Sequence, residues 1–132
     1  MPKTPLSCVL LADRHHGLTE GVRCLLETSF ETVVMVADEV SLLEGAIRLR
    51  PDVAVVDLSL AQSSGLGWFH ALRQHCPNLK VIVLSVHDEQ SVRQAVMDAG
   101  ANAFVLKSAI ATELLTTVDA VRQGRREDVS IR

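Results

Sequence analysis

The feature that most constrains this chain is an alternation. Five short runs dense in aliphatic and β-branched residues are separated by five stretches with helical spacing. The strand-like runs cover residues 8–12, 32–37, 53–56, 81–84 and 103–106. They are nearly continuous in apolar residues, as strands covered on both faces are. Between them, Leu18, Val22, Leu25, Leu26 and Phe30 share one stripe, and Leu42, Leu43, Ala46 and Ile47 the next. Leu66, Phe69 and Leu72, then Val92, Ala95, Val96 and Ala99, then Ile110, Leu114, Leu115, Val118 and Val121 continue the pattern. Pro51 and Pro77 each follow a helical stretch, and Gly100 and Gly124 read as helix C-terminal glycines. Gly45 weakens the second helix slightly.

Strand–helix alternation repeated five times predicts an α/β fold with helices on both faces of a parallel sheet. Right-handed crossovers then favour a doubly wound five-stranded parallel sheet of order 2-1-3-4-5. Residues 1–124 form the domain. Residues 125–132 are a polar tail or the start of a linker.

At 132 residues, 48% of them hydrophobic, the chain is one domain with material for a substantial core. A net charge of −3 gives none of the basic footprint of a chain that grips nucleic acid alone. The apolar runs are too short for a membrane span, and residues 1–5 do not lead into a signal-peptide core. The expected location is the cytoplasm. Cys8, Cys24 and Cys76 are odd in number and lack a C-x-x-C pair. They are expected as reduced, mostly buried thiols, neither a disulfide framework nor a zinc site.

In such a sheet, ligands bind at the carboxyl ends of the strands, where strand order reverses. The first strand leads into Asp13, the third into Asp57, the fourth into Ser85 and the fifth into Lys107. Singly, each has an ordinary role as a turn residue, a helix cap or a solvated charge. Together at one edge they can do more. An aspartate can attack phosphorus and form an acyl phosphate. A lysine and a hydroxyl can neutralise and bond phosphoryl oxygens, and a second carboxylate can hold a divalent metal.

With these residues in place, four segments resemble the response-regulator receiver domain of two-component systems, in its NarL/FixJ (LuxR-type) subgroup. They are Val-Leu-Leu-Ala-Asp ending at Asp13, Pro-Asp-Val-Ala-Val-Val-Asp-Leu around Asp57, Val-Ile-Val-Leu-Ser-Val-His-Asp around Ser85, and Ala-Gly-Ala-Asn-Ala-Phe-Val-Leu-Lys ending at Lys107. The likeness covers residues 7–124. It implies a flavodoxin-like receiver fold with Asp57 as phosphoacceptor. Lys107 is then the phosphoryl-contacting lysine, Ser85 the switch hydroxyl and Phe104 the switch aromatic. It further implies Mg2+ held by Asp13, Asp57 and the backbone carbonyl of Ser59, and a Lys107–Ser108 peptide bond that is often cis in the family. The implied partners are a sensor histidine kinase as donor, a second copy in a homodimer, and DNA through a helix-turn-helix output domain; residues 110–121 could serve the homodimer, but their apolar positions read better as core. This chain does not contain that domain; the subgroup favours a piece of a longer regulator over a stand-alone receiver. The implied role is signalling, not enzyme turnover.

The departures from the pattern concern the metal. The family places two adjacent acids after the first strand, and here Asp13-Arg14 stands there. The formal charges of Asp13, Asp57, Arg14 and Lys107 sum to zero, leaving less for a divalent ion to offset. Either Arg14 supplies part of the metal's positive charge, using its planar fork on phosphate, or it points to solvent. Ala61 and His16 stand where proline is common. His15, His16 and His87 near the pocket mouth read better as surface histidines than as a transition-metal site. The alternative function is a phosphorylation-independent pseudo-receiver that binds partners because Arg14 has replaced a metal-binding acid. A flavin carrier of the same fold is disfavoured, because no hydroxyl-rich phosphate loop follows the first strand.

Overall fold

Strands that are apolar at every position bury themselves only if both sheet faces are covered, and that is how the chain folds. The computed structural model describes residues 4–14, 16–60, 65–124 and 127–128. The strands are β1 (Thr4–Ala12), β2 (Phe30–Val36), β3 (Val53–Asp57), β4 (Lys80–Ser85), β5 (Ala103–Leu106) and β6 (Glu127–Asp128). The helices are α1 (His16–Leu26), α2 (Glu39–Leu49), α3 (Gly67–His75), α4 (Gln90–Asp98) and α5 (Ile110–Arg122). The sheet runs β2-β1-β3-β4-β5-β6, with every pair parallel. The doubly wound order 2-1-3-4-5 is therefore present, with one addition. Glu127 and Asp128, in the polar tail, pair with Ala103 and Phe104 at the otherwise open edge of β5.

Alternate residues of each strand serve two cores. Val9 and Leu11, Val53 and Val55, and Ile82 and Leu84 pack with Val22, Leu26, Leu114 and Val118 of α1 and α5. Leu10 and Ala12, Ala54 and Val56, and Val81 and Val83 pack with Leu42, Phe69, Leu72 and Val96 of α2, α3 and α4. Completely burying one such aliphatic side chain contributes about 1.5–3 kcal/mol. Gly45 has a packing reason within α2, since a Cβ there would stand 3.3 Å from the Leu10 methyls.

Several local expectations are corrected. Phe30 does not extend the α1 stripe; it opens β2, fully buried, with the Arg122 guanidinium 4.6 Å from its ring centre. On α4 the inward stripe is rotated by about a residue: Arg93 and Val96 are buried and Ala95 is exposed. Ile47 of α2 is exposed. The three thiols are free as expected, but Cys24 is exposed and Cys8 and Cys76 only half-buried. In α5, by contrast, Ile110, Leu114, Val118 and Val121 belong to the core, the reading preferred for them over a dimer face. All described peptide bonds are trans, Lys107–Ser108 included, and this avoids the roughly 2.5–4 kcal/mol cost of a non-proline cis bond. Among the described residues no helix is long and apolar enough to cross a membrane.

Candidate phosphoacceptor site

The parallel register brings the strand ends to one edge. Ala12 pairs with Val56, so Asp13 and Asp57 are the next residues along two adjacent strands. Asp57 pairs with Leu84, which places Ser85 one step beyond it, and Ser85 pairs with Leu106, immediately before Lys107. Asp13, Asp57 and Ser85 are all buried, at 4%, 1% and 1% exposure, in a part of the fold where polar groups are costly unless satisfied.

Their partners are specific. Lys107 Nζ donates to Asp57 Oδ2, and the Ser59 amide donates to Asp57 Oδ1 at 2.9 Å. Burial pushes the Asp57 carboxyl upward. The Lys107 hydrogen bond and charge together with the Ser59 hydrogen bonds outweigh this and hold it below the ordinary carboxylate range. Asp57 is thus an ionised, oriented carboxylate at neutral pH. The Asp13 backbone amide donates to the Val36 carbonyl at 3.0 Å, fixing the turn out of β1.

Ser85 faces its own loop. Its Oγ accepts a hydrogen bond from the His87 amide at 2.9 Å and lies 3.4 Å from the His87 carbonyl. Phe104 is completely buried beneath α4. Arg14 is exposed at the rim. Ser59 is exposed as well. His87 is exposed, with Nδ1 3.6 Å from Glu89 Oε2. His15 and Ala61 lie outside the described residues. Among those described, no group of three or more histidine, cysteine, aspartate or glutamate side chains is placed to hold a metal ion.

One residue of consequence was not singled out from the sequence. Arg93 is buried on α4, donating to Gln90 Oε1 at 2.6 Å and to the Asp88 carbonyl at 3.0 Å, with its guanidinium 5.8 Å from the Phe104 ring centre. The signal available was its spacing, three residues before Val96 and seven before Gly100.

A buried carboxylate paired with a lysine, beside a second carboxylate and a hydroxyl at the carboxyl edge of a doubly wound sheet, is the arrangement of a receiver site. The family model of the response regulator receiver domain matches residues 9–119, and the chain belongs to that family. Its members are signalling domains. Among relatives, the nitrate/nitrite response regulator protein NarP of Escherichia coli K12 is 34% identical over 128 residues, 96% of this chain and 60% of that protein. The transcriptional regulatory protein DegU of Brevibacillus brevis is 33% identical over 118 residues, 88% of this chain and 50% of that protein. This chain thus spans between 50% and 60% of the length of those two relatives. Among solved structures, a LuxR-family two-component response regulator from Aurantimonas sp. SI85-9A1 superposes with a TM-score of 0.83 at 27% identity, covering 92% of this chain and 88% of that one. The non-phosphorylated receiver domain of the stress response regulator RcsB from Escherichia coli gives 0.79 at 27% identity, covering 92% and 97%.

Proposed function

We propose that this receiver domain accepts a phosphoryl group on Asp57 from a sensor histidine kinase and passes the change on through Ser85 and Phe104. The observation that carries the reading is the buried, ionised Asp57 carboxylate in hydrogen-bond contact with Lys107. An Asp57 oxygen attacks phosphorus, the bond to the donor's histidine nitrogen breaks, and the imidazole leaves to take up a proton. Lys107 stabilises charge on the transferred group and orients it. The Ser85 hydroxyl exchanges its His87 partner for a phosphoryl oxygen.

Mg2+ suits two adjacent strand-end carboxylates, of which Lys107 pairs with one, because it binds through one or two carboxylates and keeps several waters. Asp13, Asp57 and the Ser59 carbonyl would hold it, and it would offset phosphoryl charge. With Arg14 at the rim in place of an acid, its affinity is expected to be weak. The output through DNA belongs to a helix-turn-helix domain outside this chain.

The test is incubation with a small phosphodonor, with and without Mg2+, followed by intact mass. An added phosphoryl mass that disappears in Asp57→Ala supports the reading. Arg14→Asp should strengthen the Mg2+ dependence. No adduct in any of these conditions favours a pseudo-receiver that works through partner binding alone.

A further inference from the structure

A guanidinium stays charged at any working pH, so its burial is tolerated only where its donors and face find partners. The partners of Arg93 are unusual in what they join. One is the Asp88 carbonyl, in the loop that leaves β4, and another is the face of Phe104 on β5. The third, Gln90, lies on its own helix and orients the fork. The loop is therefore pinned at two successive residues. The Ser85 hydroxyl holds the His87 amide, and Arg93 holds the Asp88 carbonyl.

We propose that Arg93 is a positioning residue that ties the 85–88 loop to the Phe104 ring in the resting arrangement and so sets how readily the domain switches. This rests on the phosphoacceptor reading of Asp57. When the Ser85 hydroxyl turns to a phosphoryl oxygen, the His87 amide loses its acceptor and the Arg93–Asp88 bond is the remaining pin of the two. The same guanidinium lies 5.8 Å from the Phe104 ring centre, so it touches both the loop and the ring. A contact made only in the resting arrangement lowers the affinity for any ligand that selects the other arrangement, by the factor that it contributes to the equilibrium.

The experiment titrates the whole chain with beryllofluoride as the phosphoryl probe, following backbone amides 86–89 and 104 by NMR. It compares the wild type with Arg93→Met, which keeps the apolar stem, and Arg93→Lys, which keeps the charge and one donor. In Arg93→Met these amides should shift without probe toward their bound positions. Affinity for beryllofluoride should rise about fivefold, the population shift expected from one lost hydrogen bond. Arg93→Lys should fall between. Unshifted amides with unchanged affinity in Arg93→Met, or lowered thermal stability with unchanged affinity, overturns the proposal. If Arg93→Met does not fold, Arg93→Lys decides by the same comparison. A wild type that takes up no beryllofluoride, with loop amides that still shift in Arg93→Met, overturns the phosphoacceptor reading instead and leaves the hold of Arg93 on the loop standing.

Discussion

Lys107 Nζ meets Asp57 Oδ2 across 50 residues of chain, and β4 lies between β3, which ends in Asp57, and β5, which ends just before Lys107. The pair is a tertiary bond closed over the middle strand, and it decides the charge state of the site. Removing the ammonium with Lys107→Met takes away the strongest influence that opposes burial at Asp57, so the carboxyl should rise. In the wild type, the depressed Asp57 contributes stability that is present above the unfolded carboxylate value of about 3.9 and is lost as pH falls through the lower folded value. In Lys107→Met the stability lost on acidification should shrink, because the folded carboxyl moves up toward or past its unfolded value, and stability at neutral pH should fall by about 2 kcal/mol. Urea denaturation between neutral and acid pH measures both, and an unchanged profile would count against the pairing.

Ser85→Ala leaves the His87 amide without its side-chain acceptor. The expected cost is about 1 kcal/mol, with faster hydrogen exchange at His87. The Asn102 amide, bonded to the Val81 carbonyl at 2.8 Å, should keep its wild-type protection. Site-resolved exchange separates a local release of the loop from a general loosening.

These residues also show what the sequence makes visible. Asp13, Asp57, Ser85 and Lys107 could be found because each ends an unmistakably apolar strand, and parallel strands gather their ends at one edge. The inward turn of Arg93 could not, since a charged residue reads as surface unless its partners are known, and those partners lie on a loop and another strand. Phe30 misleads for a related reason: it stands four residues after Leu26 and fits a helical stripe, yet the chain has already turned into β2. The pairing of Glu127 and Asp128 is invisible in two polar residues and depends on the free edge they meet. Arg14 was legible as a departure, and its exposure is what the fold adds.

At the C-terminal end of α2, Arg50 sits at φ 47° and ψ 58°, the left-handed region that suits glycine. Arg50→Gly relieves about 1–2 kcal/mol of backbone strain and gives part of it back through a more flexible unfolded chain. A net gain of about 0.5–1 kcal/mol is expected. Thermal denaturation reads it.

Arg73 binds α3 to the sheet. It donates to the Leu79 carbonyl, to the Gly100 carbonyl at 2.8 Å and to Asn102 Oδ1 at 2.7 Å. Arg73→Leu takes this donor from the Leu79 and Gly100 carbonyls, while Asn102 Oδ1 keeps the Val81 amide at 2.9 Å, and should cost about 2–3 kcal/mol. The measurement is equilibrium unfolding in urea. A loss below about 0.5 kcal/mol, the usual range of a surface substitution, would show that these bonds hold nothing of consequence.

The short strand β6 gives the sheet a handedness of another kind. A parallel sheet has two lateral borders, and here the border beside Ala103 and Phe104 is occupied by the chain itself. A strand from another molecule could extend the sheet beside Phe104 only by first displacing Glu127 and Asp128. At the opposite border, β2 is the outermost strand, with Met35 41% exposed. The two borders therefore differ in length: an added strand would meet seven residues of β2 on one side and two of β6 on the other, and so short an edge offers little to pair with.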